Sequence, residues 1–318
     1  MPAISRSAPG KIILCGEHAV VYHQPAIAIP LLQLSTTTKI FARPNLPKGE
    51  IFINAVAVNT AAEVNSLAIN DPLRKTVELV KTYFALDHLP ACEIQITSTL
   101  PVAAGLGSSA SLSVSIIRAL TDFIGHPLED DQVNLLAYEA EKFHHGNPSG
   151  VDNTVIAYER PVFFQHGHLP EFLIIAAPFQ FIIANTGIQG LTAQAVAGVK
   201  ERWQKDSNRY DHLFSKIGDL TCQVREGLAN GDPVSTGKLL TQNHALLSEM
   251  GLSCKELDWL VATALEAGAS GAKLSGGGLG GNMLALVTAE TSGRVTEALS
   301  RNGAKMTLNV TLPASVEK

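Results

Sequence analysis

The stretch PVAAGLGSSAS, residues 101–111, lies between an alternating apolar run and a helical pattern. Cys92, Ile94 and Ile96, ending at Leu100, read as a strand, and Leu112, Ile116, Ile117, Leu120 and Phe123 recur at helical spacing. A glycine-rich turn that opens a helix presents backbone N–H groups with no acceptor inside the helix. Those groups, together with the helix dipole, favour an anion and typically a phosphate. Gly105 and Gly107 admit close approach of the backbone to that anion. Ser108 and Ser109 add hydroxyls for phosphate or a magnesium ion. The leading reading is a phosphate-handling enzyme; the plainer alternative is a helix start capped by serines.

Two familiar loops do not fit. A P-loop requires Gly-x-x-x-x-Gly-Lys-Ser/Thr, and no lysine follows these glycines. Gly105, Gly107 and Ala110 match the dinucleotide fingerprint, which expects a second strand ending in an acid about 20 residues later. Glu129, Asp130 and Asp131 stand near that distance but read as the start of a helix.

The length of 318 residues suggests about two domains. A 46% hydrophobic and 17% charged composition suits a globular enzyme with a sizeable core. A net charge of −5 gives no basic surface for nucleic acid. Cys15, Cys92, Cys222 and Cys254 are scattered, without metal-type spacing, and read as reduced thiols of a cytoplasmic protein. Only Arg6 and no long apolar run precede Pro9-Gly10, so no secretory leader is expected. No run is long enough to span a membrane.

Strands are expected at 11–15, 26–31, 36–41 and 50–57, then a helix over 72–85. The segment 130–144 reads as a helix with Val133, Leu136, Ala137 and Ala140 on one face. Strands follow at 162–165 and 172–185, the latter broken by Pro178. The remainder turns helical, at about 189–205, 208–230, 234–250 and 255–268. A strand–glycine turn–strand over 272–288, a helix near 291–302 and a strand over 306–312 complete the pattern. The boundary is placed at 187, giving domains 1–187 and 188–318.

Several residues stand out chemically. Lys11 opens an apolar strand, where a lysine usually keeps its ammonium in water. Gly16-Glu17-His18 sits at that strand's end, a favoured place for ligand contacts, although a solvated turn would look the same. Glu141 falls about 80° from Val133, at the edge of the apolar face. A carboxylate so close to a core needs a cation, unless its side chain extends to solvent. Asp152 follows a rigid Pro-Ser-Gly turn; it could accept a proton from an attacking hydroxyl or orient it, or form an ordinary Asx turn. Near the C-terminus, residues 276–281 hold five glycines in six positions, more than a hairpin requires.

Pro9-Gly10-Lys11, Gly16-Glu17-His18-Ala19-Val20-Val21-Tyr22, the Gly-Leu-Gly-Ser-Ser loop, His145 through Asn153 and the late glycine turn together resemble the GHMP kinase superfamily. Ala19-Val20-Val21-Tyr22 and Asn147-Pro148-Ser149-Gly150-Val151-Asp152-Asn153 are similar to its mevalonate-phosphorylating branch. The resemblance implies an α+β, two-domain fold: an N-terminal ribosomal S5-like domain, a ferredoxin-like C-terminal domain and an active site in the cleft between them. It implies ATP-dependent phosphorylation of mevalonate, with Mg²⁺, in isoprenoid precursor synthesis. Ala104, Gly105, Leu106, Gly107, Ser108, Ser109, Ala110 and Ser111 would wrap the ATP phosphates. Ser109 and Glu141 would hold Mg²⁺, Asp152 would be the catalytic carboxylate and Lys11 its cationic partner. Glu17, His18, Ser149 and Thr192 would line the substrate pocket, with Gly276, Gly277 and Gly278 behind it. Leu279 departs from the uninterrupted glycine run of many relatives. A phosphomevalonate or sugar kinase of the same superfamily, or a non-catalytic nucleotide-binding relative, is the alternative. The oligomeric state is open, a homodimer included.

Overall fold

The computed structural model describes residues 3–56, 59–101, 105–146, 148–190 and 192–315. In chain order the first elements are β1 (Ile4–Cys15), β2 (Ala26–Ala42), β3 (Ile51–Ala55), β4 (Thr60–Glu63), α1 (Pro72–Tyr83) and β5 (Cys92–Ser98). Next come α2 (Ser108–Phe123), α3 (Asp130–His145) and α4 (Val151–Tyr158). The chain continues through β6 (Val162–Phe164), β7 (Glu171–Phe172), β8 (Phe179–Asn185), α5 (Thr192–Lys205), α6 (Ser207–Asn230) and α7 (Pro233–Glu249). It ends with α8 (Lys255–Glu266), β9 (Gly271–Ser275), β10 (Asn282–Val287), α9 (Ala289–Arg301) and β11 (Met306–Leu312). This is the mixed helix-and-sheet composition that the sequence leads one to expect. Among the described residues no helix is long and apolar enough to cross a membrane.

Contacts divide the chain into two compact units: Met1–Lys11 with Pro30–Arg160, and Ile12–Ile29 with Pro161–Lys318. In the first unit β3 pairs antiparallel with β4 and parallel with β5, and β5 pairs antiparallel with the second half of β2. Alternation decides the faces: Ile51, Ile53 and Ala55 are buried while Phe52 and Asn54 are exposed. The helices α1, α2 and α3 pack on one another, and α4 packs against α2 and α3. Val133, Leu136, Ala137 and Ala140 of α3 are buried, as their spacing predicts. Full burial of each larger side chain is worth about 1.5–3 kcal/mol.

Three local readings change. β2 is one strand over 26–42 rather than two: in the expected gap Ser35 N–H donates to Thr99 Oγ1 at 2.9 Å and Thr99 N–H donates to Ser35 O at 3.0 Å. Thr36 Oγ1 lies 3.1 Å from Ser98 Oγ, and Thr38 Oγ1 lies 2.8 Å from Ser115 Oγ. Residues 151–158 form a helix where only a turn was legible; eight residues are too few to display a period. The run 172–185 leaves the sheet at 173–178, where backbone N–H groups go elsewhere: Leu173 to Pro161 O, Ile175 to Ser315 Oγ and Ala176 to Leu228 O.

In the second unit β8, β9, β10 and β11 form an antiparallel sheet in the order β11-β8-β10-β9. Ile182, Ala184, Phe214, Ile217, Leu247, Met250, Leu274, Met283 and Leu299 belong to one buried cluster there. Residues 12–29 are part of this unit. Their 3-10 turn, Ala19–Tyr22, stacks Tyr22 on Phe214 with ring centroids 4.0 Å apart. Where α7 meets β9 the backbones nearly touch: a Cβ on Gly271 would lie 1.8 Å from Gly237 O. Gly271→Ala should therefore force the two elements apart and cost about 3 kcal/mol. Urea denaturation measures this, and an unchanged midpoint would show that the contact is slack.

Candidate active site

β1 carries Lys11 into the first unit's interior, where the residue is only 5% exposed. Its backbone N–H donates to Leu106 O at 2.9 Å, which ties the strand to the 105–107 turn. Two glycines make that approach sterically possible. A Cβ on Gly10 would lie 2.9 Å from Leu106 O, and one on Gly107 would lie 2.7 Å from Lys11 Cγ. Gly107 also takes φ 77°, a left-handed conformation that favours glycine.

Gly107 caps α2 without a side-chain hydrogen bond. The 16-residue helix thus starts without a side-chain cap from that residue, and its first turn stands at the positive end of the helix dipole. Of the stretch expected to wrap a nucleotide, Ala104 lies outside the described residues. The side chains of Leu106 and Ala110 are fully buried. The Ser111 hydroxyl is committed to Ala8 O at 2.8 Å. Gly105, Ser108 and Ser109 are not buried, and the Ser109 hydroxyl turns to Glu141.

Two helices bring carboxylates to this turn. Glu141 stands on α3 and is 2% exposed, so the solvent-reaching alternative does not apply. Asp152 lies in the first turn of α4, where a negative charge is favourable. Lys11 Nζ lies 2.9 Å from Asp152 Oδ1, and Ser109 Oγ donates to Glu141 Oε2 at 3.2 Å. Four groups spread over 142 residues of sequence thus form one electrostatic cluster: Lys11, Ser109, Glu141 and Asp152. Ser149 marks the approach to α4, its Oγ accepting from Val151 N at 3.4 Å.

Glu141 is pushed up to about 7, first by burial and then by the charge of Asp152; the Ser109 hydrogen bond and Lys11 oppose the rise. The cluster holds two carboxylates against one ammonium and is therefore short of positive charge. A serine hydroxyl and a carboxylate are hard oxygen donors, the set that suits Mg²⁺. The donors and the charge deficit both fit a divalent cation held by Ser109 and Glu141.

The second unit contains its own buried polar group. Glu17 is 1% exposed and forms an ion pair with Lys273, which is wholly buried. Glu17 Oε2 is also buried and meets no hydrogen-bond partner among the described residues. His18 sits at φ 60°, a left-handed conformation that is uncommon for a residue with a Cβ. Burial lowers His18 to about 4. The ring is therefore neutral, and its Nε2 donates to Gly277 O at 2.9 Å, leaving Nδ1 as an acceptor. Gly277 packs against Thr192: a Cβ there would lie 2.6 Å from Thr192 Oγ1. Gly276 and Gly278 have φ 89° and 79°, and a Cβ on Gly278 would meet Leu252 O at 2.2 Å. Leu279 itself adopts φ 58°, and its N–H donates to Leu252 O at 2.8 Å. The break in the glycine run thus leaves the turn intact.

Glu17, His18, Thr192 and Gly277 are brought together within this unit, and Lys273 is the residue that sequence reading passed over. Its burial shows only in the structure, at the centre of Gly271–Ser275, a strand with every residue buried and no route to water for the ammonium.

The model of the GHMP kinase N-terminal domain matches residues 71–160, and that of the GHMP kinase C-terminal domain matches residues 224–305. The chain belongs to the GHMP kinase family. Among GHMP kinases it is 34% identical to the mevalonate kinase of Thermococcus sibiricus over 311 residues, 90% of each chain. The crystal structure of L. major mevalonate kinase in complex with R-mevalonate matches with a TM-score of 0.85 at 28% identity, covering 98% of this chain and 97% of that one. That of the Methanococcus jannaschii mevalonate kinase matches with a TM-score of 0.84 at 25% identity, covering 99% of both. The fold is that of the GHMP kinases.

The elevated Glu141 has a measurable consequence in the absence of metal. Its folded-state value of about 7 lies above the ordinary 4.5, so the folded protein holds this proton more tightly than the unfolded chain. The resulting stability is complete below about pH 4.5 and is lost as the pH rises through about 7. Glu141→Gln cannot ionise and should lack this loss. Between about pH 5 and 8, thermal melts in a chelating buffer should show the wild type weakening relative to the variant by on the order of 2 kcal/mol. Parallel curves would contradict the assigned desolvation.

Proposed function

We propose that this GHMP kinase transfers the γ-phosphoryl group of ATP to the primary alcohol of mevalonate, giving 5-phosphomevalonate and ADP. The observation that carries the reading is the Lys11–Asp152 contact of 2.9 Å beside Ser109 and Glu141, at the uncapped start of α2. The similarity to mevalonate kinases over 90% of the chain supports mevalonate as the alcohol.

The N–H groups of the 105–109 turn and the first turn of α2 bind the nucleotide's phosphate oxygens. Asp152 receives the hydrogen bond of the attacking hydroxyl and accepts its proton as the new O–P bond forms. The bond from the γ-phosphorus to the β–γ bridging oxygen breaks, and ADP leaves with that electron pair. Lys11 holds Asp152 in place and offsets negative charge around the attacking oxygen. Ser109 and Glu141 would hold Mg²⁺, which when bound neutralises phosphate charge. Glu17 and His18 would receive the polar groups of mevalonate: His18 Nδ1 accepts a hydrogen bond, and the orphaned Glu17 Oε2 accepts another. Product formation would place the protein in isoprenoid precursor synthesis.

A coupled ADP assay with mevalonate, set against phosphomevalonate, galactose and homoserine, tests the assignment. Turnover on mevalonate alone is expected; preference for another alcohol would refute it. Asp152→Asn should lower kcat by at least about 100-fold while nucleotide binding stays near normal. Glu141→Gln should raise the Mg²⁺ concentration needed for half-maximal rate, and an unchanged Mg²⁺ titration would remove Glu141 from the metal site.

A further inference from the structure

β9 is the outer strand of the second unit's sheet, yet Ala272, Lys273 and Leu274 are all completely buried. The outward N–H groups of such a strand ordinarily meet water or another strand. Here they meet side chains of α7. Ala272 N–H donates to Thr241 Oγ1 at 3.1 Å, and Leu274 N–H donates to His244 Nδ1 at 3.2 Å. These peptide groups flank Lys273, so α7 fixes the backbone on both sides of the lysine. The strand is held further along as well, where Ser275 Oγ donates to Ile13 O at 2.8 Å. Lys273 extends from this clamped strand to Glu17.

We propose that His244, assisted by Thr241, is a positioning residue for substrate binding: by accepting the outward N–H groups of β9 it sets the reach of Lys273 and so the aim of Glu17 at mevalonate. This rests on the reading of Glu17 as a substrate residue. The state of the imidazole suits the task. Nδ1 must be unprotonated to accept from Leu274, and Asp258 Oδ1, 3.2 Å from Nε2, fixes the proton on that other nitrogen. Burial and the charge of Lys273 favour the neutral ring, against the pull of Asp258. Loss of the acceptor would leave a buried N–H unsatisfied. The strand would then have to shift or admit water, and Lys273 would move with it.

The test compares KM and kcat for mevalonate and for ATP in folded Glu17→Gln, His244→Leu, His244→Asn and Thr241→Val. His244→Leu should raise the mevalonate KM about ten-fold and leave the ATP KM within about two-fold. His244→Asn, whose Oδ1 replaces Nδ1 as acceptor, should restore the mevalonate KM to within about two-fold of wild type. A merely structural role would lower stability and affect both substrates alike. An unselective change in His244→Leu, or none, overturns the proposal if Glu17→Gln does raise the mevalonate KM. A Glu17→Gln variant with normal mevalonate KM overturns the Glu17 reading and the proposal with it. Should His244→Leu fail to fold, Thr241→Val decides: a selective rise of about three-fold supports the clamp, and no selective rise refutes it.

Discussion

The first unit is built around a lysine removed from water. Withdrawing an ammonium costs several kcal/mol even after relaxation, unless a counter-charge and hydrogen bonds replace the solvent. Lys11 has its counter-charge in Asp152, delivered by the first turn of α4. That contact demands that β1, the glycine turn and two helix ends share a small volume. Gly10 and Gly107 are sterically required for it, and the Ser111 hydroxyl anchors α2 to β1 at Ala8. The arrangement sets the start of α2 beside a cluster of two carboxylates and one ammonium.

The second unit meets a similar problem with a similar device. Lys273 is fully buried on an apolar strand and is matched by Glu17. In both units a lysine lies close in sequence or space to glycines with left-handed φ: Gly107 for Lys11, Gly276 and Gly278 for Lys273. A buried ion pair of this kind is weak support for stability but holds its members in one geometry, which a binding site needs.

Much of this was readable from residues alone. Helical spacing marked the buried face of α3, and the glycine–serine run marked a turn that opens a helix, because backbone geometry constrains those residue types locally. What stayed hidden were pairings at long range. Lys273 and Glu17 are 256 positions apart, and nothing in a strand of small apolar residues names the partner of its lysine. Thr241 and His244 read as ordinary helix residues, since the N–H groups they satisfy belong to another element. Likewise residues 32–35 suggested a break in β2; Thr99, just past β5, pairs with Ser35 there, and the β5 ladder takes over from Thr36.

The two units are not consecutive in the chain. Residues 12–29, carrying the Gly-Glu-His turn, are made early but belong with residues 161–318. During synthesis the apolar segment Ala26–Ile29 and the Glu17 carboxylate must therefore wait, without their native neighbours, until most of the polypeptide has emerged from the ribosome. The first unit can close around Lys11 well before that. The order of assembly is thus written into the threading of two strands, and the unit that holds the Gly-Glu-His turn is the last to close.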